Sequence, residues 1–133
     1  MRHEDWLLKA KNDLKSAKIL ANSNVLDTAI YHTQQCAEKA LKAYLIFKVI
    51  QTIKTHDLVF LSEQCRKINI KFEELFKSAV LLSPYSTEFR YPDDYLGIPS
   101  LILVNEAIEE SEKILNFVLE FVFKEATGQE NIF

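Results

Sequence analysis

The residues best suited to chemistry in this chain fall in three short polar stretches. These are His32, Gln35, Lys39 and Lys42 at three- and four-residue spacing, the neighbours His56 and Asp57, and the segment Thr87-Glu88-Phe89-Arg90-Tyr91-Pro92-Asp93-Asp94. A guanidinium flanked by two aromatic rings and a proline-rigidified turn suits bidentate capture of a phosphate or carboxylate, so Arg90 is the leading anion-binding candidate. His56 beside Asp57 offers an acid–base pair. Each stretch also has a plain structural use. Arg90 can tie down its own loop through Glu88 or Asp93, the stripe can be a solvated helix face or a dimer seam, and His56-Asp57 can cap a helix and complement its macrodipole.

Other chemistries lack their residues. No Gly-rich phosphate loop and no Gly-x-Ser-x-Gly nucleophile elbow is present. His3, His32 and His56 are too scattered to imply zinc, and no cofactor is expected. Cys36 and Cys65 have neither metal-ligand spacing nor the density of a secreted disulfide scaffold, so they read as reduced structural thiols. A net charge of -3, from 16 basic and 19 acidic residues, exerts no global pull toward nucleic acid or membrane. The N-terminus lacks a signal-peptide apolar stretch and no later run approaches the roughly 18 residues of a membrane span, so a cytoplasmic protein is expected, with no membrane partner.

The elements that must position these groups are helical. With 133 residues, 48% of them hydrophobic, the chain can fill one core, and only 2 Gly and 3 Pro leave few sites for the tight turns of a many-stranded fold. The fold class is therefore all-α. Trp6, Ala10, Leu14, Ala17 and Ala21 mark a first amphipathic helix, 4–21, with Asn22-Ser23-Asn24 expected to stop it and to supply a side-chain N-cap for the next. The second, 25–50, gathers Ala29, Ile30, Cys36, Ala37, Ala40, Leu41, Ala43, Tyr44 and Phe47 on one half-circle, with Tyr31, Glu38 and the polar stripe on the other.

Thr55 is expected to cap a third helix carrying Leu58, Leu61, Cys65 and Ile68, which puts His56 and Asp57 in its first turn. A fourth, 72–82, is expected to bury Phe72, Leu75, Phe76 and Ala79 and to end at Ser83-Pro84. Pro99 is well placed for the first turn of a last helix whose seam is Leu101, Val104, Ile108, Ser111, Leu115, Val118 and Val122. Phe117, Phe121 and Phe123 read as core or interface packing. One domain over 1–126 with a mobile tail at 127–133 is the expected organisation.

The blocks Tyr31-His32-x-Gln34-Gln35-x-Ala37-Glu38-Lys39-Ala40-Leu41-Lys42-Ala43-Tyr44-Leu45, Thr55-His56-Asp57-Leu58 and Thr87-x-x-Arg90-Tyr91-Pro92 resemble, in this order, the HEPN family, the higher eukaryote and prokaryote nucleotide-binding domains. The resemblance runs from Trp6 to about Phe121. It implies an up-and-down bundle of four to five helices, a homodimer, and an association with a minor nucleotidyltransferase in systems of toxin–antitoxin type. It also implies a nucleotide- or RNA-binding site at Arg90, Tyr91, Lys39, Lys42, His32, Gln35, His56 and Asp57.

The active family members are RNases with an Arg followed four to six residues later by His, and this chain departs from that pattern. Arg90 has Tyr95 where the histidine is expected, so the imidazole that would shuttle protons for 2′-hydroxyl attack is missing from its place. A binding module is accordingly the leading reading. One alternative is a metal-independent RNase using Arg90 with His56 or Tyr95, and another is a non-enzymatic interaction subunit.

Overall fold

The computed structural model describes residues 2–48, 50–51, 54–92 and 96–128. It is all-α, with α1 His3–Asn22, α2 Leu26–Phe47, α3 Leu58–Ile68, α4 Phe76–Leu82 and α5 Leu101–Thr127, plus 3-10 turns at Ile70–Leu75 and Ser83–Ser86. The described residues contain no strand. The central element is α2, which packs along α1 and also meets α3, α4 and α5. Its breadth of contact follows from its sequence, since small Ala29, Ala37, Ala40 and Ala43 let neighbours approach while Ile30, Leu41 and Tyr44 fill the gaps, all fully buried.

The turn between α1 and α2 differs from its expected chemistry. Asn24 takes a left-handed φ of 61°, its N–H donates to the Ala21 carbonyl and the N–H of Val25 donates to the Leu20 carbonyl at 2.8 Å. That is a Schellman C-terminus, which asparagine tolerates better than most residues. Asn24 therefore closes α1 instead of capping α2, whose N-cap Val25 has no side-chain hydrogen bond.

Two further corrections concern α3 and α4. The N-cap of α3 is Asp57, whose carboxylate accepts from Phe60 N at 3.0 Å, while Thr55 Oγ1 accepts from Asp57 N at 3.1 Å. Both His56 and Asp57 thus precede the helix, because a carboxylate satisfies the orphan N–H groups as well as a threonine hydroxyl does. The expected fourth helix is split between the 3-10 turn and α4, and Phe76 is 49% exposed. The change of helical pitch at Leu75 rotates Phe76 off the face that carries Phe72 and Leu75.

Phe72 instead centres a ring cluster with Tyr44 at 4.4 Å, Phe117 at 5.0 Å and Phe121 at 6.1 Å between centroids. Burying each such ring contributes roughly 1.5–3 kcal/mol. Along α5, Val104, Ile108, Ser111, Leu115, Val118 and Val122 are buried as their spacing predicts, whereas Leu101 and Phe123 are exposed. Ser100 caps α5 through Leu103 N at 3.1 Å, so Pro99 lies before the helix and not in its first turn, and Gly128 ends α5 with φ 73°.

Candidate functional site

The polar side of α2 is not a free solvated face. Asp13 of α1 accepts from His32 Nδ1 at 2.8 Å through one oxygen and from Lys39 Nζ at 2.6 Å through the other. Further along, Glu38 accepts from His56 Nδ1 at 2.8 Å through Oε1 and from Lys42 Nζ at 3.0 Å through Oε2. Gln34 binds Glu38 Oε1 and the His56 carbonyl, and Gln35 donates to Gln34. The helix therefore carries two carboxylate-centred networks, each with one imidazole and one ammonium.

Their geometry fixes the histidine tautomers. An ionised carboxylate only accepts, so the Nδ1 atoms of His32 and His56 carry the protons and the Nε2 atoms are left for other partners. The His56 side chain is 70% exposed. Its partner is Glu38, not the adjacent Asp57, because neighbouring residues point apart and the exposed Asp57 turns onto the first turn of α3 as its cap.

Arg90 lies against the opposite end of the stripe. Its guanidinium carbon sits 4.1 Å from the Tyr31 ring centroid and 5.4 Å from that of Tyr91, and Nη1 donates to the Ser86 carbonyl at 3.0 Å. Phe89, immediately before it, takes φ 66°, a conformation that costs a bulky residue about 1–3 kcal/mol. Phe89 packs its ring 6.1 Å from Tyr85. The strained step turns the chain so that Arg90 comes back over α2.

Two clefts meet at this point. One, of about 260 Å³, is lined by Asp27, Thr28, Tyr31, His32, Phe89 and Arg90. The other, of about 360 Å³, is lined by Asp27, Phe89, Arg90, Tyr91, Pro92, Gly97 and Ile98. A roomier hollow of about 570 Å³ lies elsewhere, bordered by Phe72, Phe76, Lys77 and Lys113, with Arg66 already paired to Glu63. It contains no histidine and none of the three polar stretches, so the Arg90 clefts are the better site despite their size.

The sequence-derived candidates are thus divided. Arg90, Tyr91 and His32 share the clefts, and Lys39 reaches them through Asp13 and His32. Lys42 belongs to the Glu38 network, with Nζ 5.7 Å from the Trp6 ring centroid, as does His56, while Gln35 joins it through Gln34 and Asp57 caps α3. Asp93 and Tyr95 lie outside the described residues. Missing from the candidate set were Asp13, Asp27, Thr28, Tyr31 and Glu38. Asp13 had a readable signal: at i+3 from Ala10 and i+4 before Ala17 it is a charge on the apolar face of α1, which demands a buried partner. No group of three metal-ligating side chains occurs among the described residues, and no helix is long and apolar enough to cross a membrane.

The HEPN domain model matches residues 3–122. Among curated proteins, the chain is 29% identical to "Putative toxin MJ1304" of Methanocaldococcus jannaschii, over 96% of this chain and 91% of that protein. Among crystal structures, TT1696 from Thermus thermophilus superposes with a TM-score of 0.80 at 28% identity, covering 90% of this chain and 97% of the other. ST0689, an archaeal HEPN homologue, gives a TM-score of 0.75 at 27% identity, covering 92% and 98%. The bundle, the order of its polar stretches and a match that runs through nearly all of its helices agree: this chain belongs to the HEPN domain family.

Proposed function

We propose that the protein is a toxin-like HEPN module that binds a nucleotide or RNA at the Arg90 clefts, as a homodimer, beside a minor nucleotidyltransferase. The observation that carries this reading is the Arg90 guanidinium stacked on Tyr31 above a cleft that also holds His32. A guanidinium has five donors and, among the described residues, this one gives one to Ser86, so it can grip phosphate oxygens while Tyr91 offers its face to a base. The archaeal relative named as a toxin supports the same class of role. Exposed Ile98, Leu101 and Ile102, the last 81% exposed, supply apolar surface beside the site for a second copy. Titration calorimetry with a nucleotide panel and a short single-stranded RNA tests the reading. Binding by wild type that Arg90→Ala abolishes is expected, and equal binding by both proteins overturns it. Copurification with the product of an adjacent nucleotidyltransferase gene tests the partner.

A second reading, a metal-independent RNase, is favoured by the Asp13–His32 pair. His32 reaches the Arg90 cleft with Nε2 as its open nitrogen, in place of the histidine missing after Arg90. There it can take the proton of a ribose 2′-hydroxyl as that oxygen attacks phosphorus; the bond from phosphorus to the 5′-oxygen breaks, that oxygen takes a proton from water, and a 2′,3′-cyclic phosphate remains. Cleavage of total RNA by wild type and its loss in His32→Ala is the expected result. No cleavage by wild type removes this reading without touching the first.

A further inference from the structure

The geometry points to Asp27 as a ribose-reading residue that makes the Arg90 site selective for ribonucleotides over deoxyribonucleotides. This inference rests on the nucleotide-binding reading above. Among the described residues, Asp27, Phe89 and Arg90 are common to both clefts, so whatever spans the two passes beside the Asp27 carboxylate. Asp27 is half-buried at the second position of α2, and its Oδ1 accepts from Thr28 N at 2.9 Å, which holds the side chain in one orientation.

A carboxylate in the same cleft as a phosphate-binding guanidinium has a specific consequence. It repels the phosphate, and on ligand binding it loses water, so it opposes binding unless the ligand returns hydrogen-bond donors to it. The part of a nucleotide covalently next to the phosphate that carries such donors is the ribose, through its hydroxyls. An ionised carboxylate accepts only, and an O–H to carboxylate bond is among the stronger hydrogen bonds available. A deoxyribose lacks the 2′-hydroxyl, leaves that acceptor dry and unpaired, and keeps the repulsion. An acidic side chain serves the same ribose 2′-hydroxyl in dinucleotide-binding folds for the same reason, and that hydroxyl is what distinguishes RNA from DNA at a protein site.

The experiment is fluorescence anisotropy with oligouridylate and oligodeoxyuridylate of equal length. The proteins are wild type, Asp27→Ala and Arg90→Ala, each checked for helical content and melting. Wild type is expected to prefer the ribose oligomer about tenfold, the worth of one charge-assisted hydrogen bond. Asp27→Ala is expected to bring the preference within about twofold, by weakening the ribose complex while the deoxyribose complex stays as tight or tightens. Should Asp27→Ala fail to fold, Asp27→Asn replaces it, with at least a roughly threefold fall in preference expected because an amide accepts less strongly. Equal binding of both oligomers by wild type, or a full preference retained without Asp27, overturns the ribose inference and leaves the Arg90 reading standing. No binding of either oligomer by wild type, or undiminished binding by Arg90→Ala, overturns both.

Discussion

Glu38 and Lys42, one turn apart on α2, meet at 3.0 Å with their side chains only 6% and 9% exposed. The pair is held in place by His56 on the other carboxylate oxygen and by the Trp6 ring beside the ammonium. Such a pair constrains which arrangement the segment before α3 can adopt, because one buried charge without the other is far worse than neither.

The first prediction follows from that asymmetry. Glu38→Ala leaves Lys42 buried and unpaired and is expected to cost about 3–5 kcal/mol. The double replacement Glu38→Leu with Lys42→Met is expected to cost clearly less than the sum of the two single changes. Urea unfolding of wild type, both single variants and the double variant checks this, and additive losses would show that the pair is not coupled.

Asp57 separates a structural from a functional role. As the α3 cap it accepts from Phe60 N, so Asp57→Ala is expected to lower stability by about 1 kcal/mol, and Asp57→Ser to be nearly neutral. Nucleotide affinity is expected to stay unchanged in both. A drop in affinity in the stable Asp57→Ser protein would return Asp57 to the binding site.

Tyr31 is the platform for Arg90, with ring and guanidinium 4.1 Å apart. Removing the ring in Tyr31→Leu is expected to weaken nucleotide binding about three- to tenfold, while Tyr31→Phe, which keeps the π face, changes it less than about twofold. Arg90→Lys is expected to resemble Arg90→Ala more than wild type, because an ammonium neither stacks nor forks. Calorimetry of these variants beside wild type decides it, with equal loss in Tyr31→Phe and Tyr31→Leu as the contrary result.

The two cysteines predict behaviour in alkali. Burial pushes the Cys36 thiol from an ordinary 9.0 up to about 12, and burial pushes Cys65 up as well. Raised folded-state values mean that the folded protein keeps protons the unfolded chain releases. Their contribution is therefore fully present below pH 9 and is lost as pH rises from there toward 12. Native protein at about pH 8, just below the ordinary thiol range, is expected to resist thiol labelling until denaturant is added, and Cys36→Ala is expected to flatten the alkaline loss of stability. Rapid labelling of both thiols in the folded protein would contradict the burial assigned to them.

How much of this was legible in the chain varies by residue. The helices were, because Ala10, Leu14 and Ala17, or Val104, Ile108 and Ser111, recur at a period that only a helix can bury together. Arg90 was legible as a candidate from its neighbours alone. Helix ends were less so: Thr55 and Asp57 both have capping chemistry, and the choice between them depends on where α3 comes to rest, as the turn from Leu75 to Phe76 depends on packing against α5.

The pairings were not legible. That Asp13 takes His32 and Lys39, that Glu38 takes His56, and that Arg90 returns over Tyr31 are contacts between residues 18 to 59 positions apart in the chain. Local periodicity carries one period, which says which side chains share a face of their own helix and nothing about which face of another helix they meet. The sequence by itself determined that this is a helical HEPN bundle with an arginine poised before its last helix. Only the tertiary packing decided that the polar stripe of α2 is two buried carboxylate networks, one of which ends at that arginine's cleft.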